Sequence, residues 1–155
     1  MIENQKTQFY IEIIERSHEA FRDFLTHLPE EILNWKITDT MYSVNWIIQH
    51  IINDQVWILN VILKSNEKGY HFEKQLDELT LEDLIEGYDE MVLQAERQLS
   101  KIIDDQLNEA RIYKDYSLSV EDWLFEYIHH LNHHAGEVSF ISTAWKRMKR
   151  SLVDE

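Results

Sequence analysis

Apolar positions recur at helical spacing over four stretches of the chain. The first, about residues 5 to 27, places Phe9, Ile13, Ala20, Phe24 and Leu28 near one face. The second, about 43 to 64, begins at Ser43, a suitable N-cap, and is apolar almost all round. The third, about 80 to 103, opens with Thr80-Leu-Glu-Asp83, close to a capping box, and carries Leu84, Tyr88, Met91, Ala95 and Leu99. The fourth, about 119 to 149, opens with Ser119-Val-Glu-Asp122 in the same manner. Connections of about 15 residues, at 28–42, 65–79 and 104–118, separate them. Fifteen extended residues reach about 50 Å, whereas a 22-residue helix is about 33 Å long. A connection can therefore run back along the bundle and join parallel neighbours. The pattern predicts an all-α fold, a four-helix bundle with long connections.

Composition agrees with long helices. Only three glycines and one proline occur in 155 residues, too few for a sheet protein with many hairpins. That length suits one domain over residues 1–155. A formal charge of −14 sets the chain against a phosphate backbone, so no nucleic-acid partner is expected. The basic cluster Lys146, Arg147, Lys149 and Arg150 lies where it complements the dipole of the last helix. The opening MIENQKTQFYIEII lacks the basic start and unbroken apolar stretch of a secretory signal. No run approaches the ~18 apolar residues of a membrane span, so a cytoplasmic location without a membrane partner is expected. Cysteine is absent, which leaves His, Asp and Glu as the only side chains for a metal site.

Such residues are concentrated in EYIHHLNHHAGEV, which holds four of the eight histidines. On a helix advancing about 100° per residue from Val120, the apolar residues Trp123, Leu124, Tyr127, Leu131, Val138, Ile141 and Trp145 form one stripe. His134 falls at about 320° and His130 at about 280°, inside or beside it. His129 falls at about 180° and His133 at about 220°, with Asp122 and Glu126 on the solvated side. The inward pair is spaced i, i+4, so the two imidazoles can converge. Helix 2 offers a third imidazole, His50, on a face shared with Trp46, Asp54, Trp57 and Val61. Three histidines leave coordination positions open, the pattern of catalytic rather than structural metal sites. Nitrogen donors suit zinc, nickel, copper or iron.

In the order of these elements over essentially the whole chain, the sequence resembles the DinB-like superfamily of metalloenzymes. The resemblance rests on His50 in the Ser43–Trp57 segment and on the H-x-x-x-H of HLNHHAGEV, followed by a small residue and glycine. It implies that His50, His130 and His134 form the metal triad, that the metal is Zn2+ or Ni2+, and that the bundle runs up-down-down-up, often as a dimer. It also implies hydrolysis, or transfer of a low-molecular-weight thiol to an electrophile, with a small-molecule substrate. Ala135 and Glu137 stand where relatives often carry a basic residue and a glutamine, which bears on substrate choice. Glu137, one turn beyond His134, and Asp54, one turn beyond His50, are candidates for a general base or for orienting the ligands. A non-catalytic stress-response protein that holds a metal or small ligand would use the same triad. The third reading is a helical bundle whose histidines are merely buried.

Helix 2 raises one further expectation. If His50 marks its inward face, Ile48, Ile52, Leu59 and Leu63 lie on the far side as an exposed apolar strip. The expected outcome is a homodimer packed through helix 2 about a two-fold axis.

Overall fold

The computed structural model describes residues 4–153. Four helices, α1 (Gln5–Thr26), α2 (Val44–Leu63), α3 (Leu81–Leu99) and α4 (Val120–Val153), form an all-α bundle. Their starts follow local chemistry. Ser43 Oγ accepts the Trp46 amide at 3.2 Å. Thr80 and Asp83 exchange reciprocal capping bonds, and so do Ser119 and Asp122. At its other end α2 closes on Lys64, whose left-handed φ of 52° lets the Ser65 amide bond back to the Asn60 carbonyl.

Packing gives α2 the central place, against both α3 and α4, while α1 packs on α3 and α4 from the other side. Contacts between α2 and α4 run in opposite order along the two helices. Trp57 meets Trp123, Gln55 meets Tyr127 and His50 meets His130, so the pair is antiparallel.

Two faces differ from the sequence expectation. The strip on α2 is interior: Ile48, Ile52 and Leu59 are fully buried and Leu63 is half-buried. Helix α3, the turn at Leu76–Glu78 and a strand of the third connection pack against α2. The face that carries Trp46, His50, Asp54, Trp57 and Val61 is the one left half-open. His50 therefore marks the half-open side of α2 and not its interior side, and a helix apolar on nearly every side gives the pattern no polar face to mark solvent. With the strip covered, the ground for a dimer through α2 is removed. On α1 the buried residues are Thr7, Ile14, His18, Phe21 and Leu25, one position away from the predicted face, and Phe9 is 60% exposed.

The third connection is not a plain loop. It contains an antiparallel hairpin, β1 (Ala110–Tyr113) and β2 (Tyr116–Ser119). Arg111 is its inward anchor: the guanidinium is buried, and Nε donates to the Ile62 carbonyl in the last turn of α2 at 2.6 Å. An arginine at the buried position, with Ile112 exposed, inverts the alternation by which a strand is read. The second connection folds over α3, where Phe72 and Tyr70 lie so close to Gly87 that a Cβ there would stand 2.5 Å from the Phe72 ring.

Candidate metal centre

The half-open face of α2 meets α4 at its histidines. His50, His130 and His134 each offer a ring nitrogen, and these atoms lie within 4.8 Å of one another. Nε2 of His50 stands 3.2 Å from Nε2 of His130. Ring centroids are 5.0 Å apart for His50 and His130, 4.7 Å for His50 and His134, and 4.5 Å for His130 and His134. All three side chains are part-buried, so the cluster is reachable from solvent.

Both candidate carboxylates join it. Asp54 Oδ1 lies 3.5 Å from His50 Nδ1, and Oδ2 lies 3.4 Å from His130 Nε2. Glu137 Oε2 accepts from His134 Nδ1 at 2.6 Å. Burial pushes the Asp54 carboxyl up, but the hydrogen bond from His130 and the nearby imidazoles outweigh it and hold it below the usual value. Burial lowers His50, and the repulsion of His130 and His134 adds to this against the opposing pull of Asp54 and Glu137. This shift favours the neutral imidazole, the form that ligates a metal.

The outer pair behaves differently. His129 and His133 are exposed, and His129 lies 3.9 Å from Glu126. His133 is nearer the centre than its helical angle suggests, with Nε2 3.5 Å from Glu137 Oε1. It also belongs to a second possible ligand group with His134 and Glu137.

Beside the triad lies a cavity of about 560 Å³ between residues 40–42, Ile47 and α4. Gly136, Phe140 and Ile141 line it, with Glu137 and His133 at its polar end. A Cβ at Gly136 would meet nothing within 4 Å, so the glycine keeps this wall low. Tyr42 stacks on Trp46 at 3.7 Å and Trp46 on His50 at 4.9 Å, an aromatic column that ends on a candidate ligand. The other aromatics named with the site are structural. Trp57 and Trp123 pack edge to face with each other, and Tyr127 is fully buried with its hydroxyl 2.9 Å from His18 Nε2.

Gln55 escaped the sequence reading. It is fully buried, with Nε2 3.3 Å from His130 Nδ1. One signal was available: a carboxamide buried within a helix that is apolar on nearly every side needs a polar partner.

A sequence model of the DinB superfamily matches residues 13–138. The chain belongs to the DinB superfamily. The match encloses α2 and every residue of the cluster. No curated protein matches this DinB chain. Solved structures do. A DinB-like protein from Bacillus cereus ATCC 10987 superposes with a TM-score of 0.76 at 16% identity, covering 94% of this chain and 95% of its own. A conserved protein from Enterococcus faecalis gives 0.68 at 17% identity, over 88% and 94% of the two chains. A DinB-like protein from Bacillus subtilis gives 0.68 at 13%, over 87% and 92%. At these identities the likeness is one of fold. Among the described residues, no helix is long and apolar enough to cross a membrane.

Proposed function

We propose that this DinB protein is a divalent-metal-dependent enzyme acting on a small molecule, with His50, His130 and His134 as the metal ligands. The observation that carries this reading is the convergence of three ring nitrogens at a half-open face beside a ligand-sized cavity. The donor set fits the group. Three neutral nitrogens suit Zn2+ or Ni2+, and three protein ligands leave room for substrate. When bound, such a metal supplies Lewis acidity, for hydrolysis or for transfer of a low-molecular-weight thiol to an electrophile.

The protein's own side chains divide the remaining work. Glu137 accepts a hydrogen bond from Nδ1–H of His134, which keeps the proton there and the lone pair on Nε2. Asp54 Oδ1 faces the corresponding nitrogen of His50 at a longer distance, 3.5 Å. Glu137 Oε1 also borders the cavity, within reach of His133, and is the better placed of the two carboxylates to take a proton from a substrate there. Met41, Tyr42, Ile47, Phe140 and Ile141 favour an apolar arm on the substrate, and no lysine or arginine lines the cavity to attract an anion.

Elemental analysis of untagged protein, followed by a screen of hydrolysis and thiol-transfer substrates on the metal-loaded form, tests this reading. Stoichiometric metal with turnover supports it. Stoichiometric metal without turnover on any substrate favours a non-catalytic binding protein, and absence of metal ends both.

A further inference from the structure

The hydrogen-bond partners of the three imidazoles do not match one another. His134 and His50 each have a carboxylate at Nδ1. His130 instead faces the amide nitrogen of Gln55, which also donates to the Tyr127 carbonyl at 3.4 Å. An N–H donor at Nδ1 requires a lone pair there, so the neutral ring carries its proton on Nε2. That proton is received by His50 Nε2 at 3.2 Å and Asp54 Oδ2 at 3.4 Å. Ligation needs the opposite tautomer, with Nε2 bare and the proton on Nδ1. Two N–H groups would then face each other where Gln55 and His130 now meet.

We infer that Gln55 is a positioning residue of the metal centre, whose carboxamide turns over when metal binds and so sets the tautomer of His130. The inference rests on the metal reading above. A half-turn of the amide exchanges its nitrogen and oxygen in place, putting an acceptor opposite Nδ1–H. The oxygen is free to move: Gln55 Oε1 is buried and has no hydrogen-bond partner. The Tyr127 carbonyl lies inside α4 and keeps its own helical N–H when the amide leaves. A carboxamide is a neutral side chain able to serve both states, as a donor to the metal-free ring and an acceptor for the ligating one. Glutamate could only accept, and an apolar residue could do neither.

The test is calorimetric titration of Zn2+ into the full chain and into Gln55→Met and Gln55→Glu, at neutral pH. Loss of the acceptor in Gln55→Met should weaken Zn2+ binding by about 10- to 100-fold, the usual effect of losing an outer-shell partner. Gln55→Glu, an acceptor in either orientation, should bind at least as tightly as the parent. Imidazole 15N–1H spectra of the Zn2+-loaded parent should show an exchange-protected Nδ1 proton on His130, lost in Gln55→Met. A merely structural role would not move that signal. Gln55→Met binding within twofold of the parent, with the protected proton retained, overturns the inference. If Gln55→Met does not fold, a tenfold loss of affinity in Gln55→Glu overturns it equally. A parent that binds neither Zn2+ nor Ni2+ sinks the metal reading and this inference together, whereas failure of the Gln55 variants alone leaves the triad standing.

Discussion

The Nε2 atoms of His50 and His130, 80 residues apart in sequence, stand 3.2 Å from each other across the α2–α4 interface. Two imidazoles at this distance cannot both be protonated without repulsion, and a shared proton or a shared metal relieves it. The contact therefore separates the inner histidines from the outer ones. Bound metal should be lost in His50→Ala and in His134→Ala, and kept in the double variant His129→Ala, His133→Ala. Elemental analysis of the purified variants reads the result. The competing group His133, His134 and Glu137 predicts the reverse for His50 and for the double variant.

Glu137 should matter even without touching the metal. Its 2.6 Å bond to His134 Nδ1 holds the ring in its ligating tautomer. Glu137→Ala should weaken Zn2+ binding by about 10- to 100-fold. Glu137→Gln, which keeps an acceptor oxygen, should recover part of that loss. Equal affinity in all three proteins would reduce Glu137 to a surface residue.

Metal affinity should depend on pH in a definite direction. Protons compete with the metal for imidazole nitrogens whose ordinary pKa is about 6.5. Affinity should fall as pH drops through about 6, although His50, lowered by burial, yields later than a free histidine. Titrations at pH 8, 7, 6 and 5 test this, and a flat profile would point to carboxylate ligands instead.

Much of this site was legible because its logic is helical. Spacing alone separates His130 and His134 from His129 and His133, since i, i+4 partners share a face and neighbours do not. Glu137 and Asp54 follow from the same one-turn rule. Contacts set by tertiary packing were not legible. Gln55 lies about 140° around α2 from His50 and reaches the site only because α4 packs over that flank. The closed side of α2 was hidden for a related reason: on a helix apolar on nearly every side, which faces are covered is decided by the neighbours. Arg111 concealed the hairpin by being a buried charge where the strand pattern expects an apolar residue.

Arg111 also gives a stability prediction. Its buried guanidinium spans the Ile62 carbonyl, the Ala110 carbonyl at 3.1 Å and the Glu109 carboxylate at 2.9 Å. Removing it leaves a carbonyl of the α2 C-terminus without its partner, beside a hairpin that has lost its anchor. Arg111→Met, which keeps most of the volume, should cost about 2–4 kcal/mol in urea denaturation. A change below about 0.5 kcal/mol would assign the hairpin's attachment to the Trp57, Tyr113 and Trp123 contacts instead.

The last prediction concerns His18, a buried histidine outside the metal centre. It lies among Phe21, Tyr88 and Tyr127, with Nε2 2.9 Å from the Tyr127 hydroxyl and rings edge to face with both tyrosines. Burial lowers its pKa to about 4. In the unfolded chain the same group titrates near 6.5, so between these values the unfolded state binds more protons than the folded one. Stability contributed by the neutral ring is therefore fully present above about pH 6.5 and is lost as pH falls towards 4. At pH 4.5 the loss amounts to about 2–3 kcal/mol relative to pH 7. His18→Gln keeps a polar group for the Tyr127 hydroxyl but does not titrate. Urea midpoints at pH 7 and pH 4.5 should therefore differ much less in His18→Gln than in the parent. Metal-free protein must be used, because loss of metal over the same range would add its own destabilisation. Equal acid sensitivity in the two proteins would show that His18 is reached by water in the folded state, and would transfer the effect to carboxyls held below their ordinary range, Asp83 beside Lys74 and Thr80, and Asp104 beside Thr7.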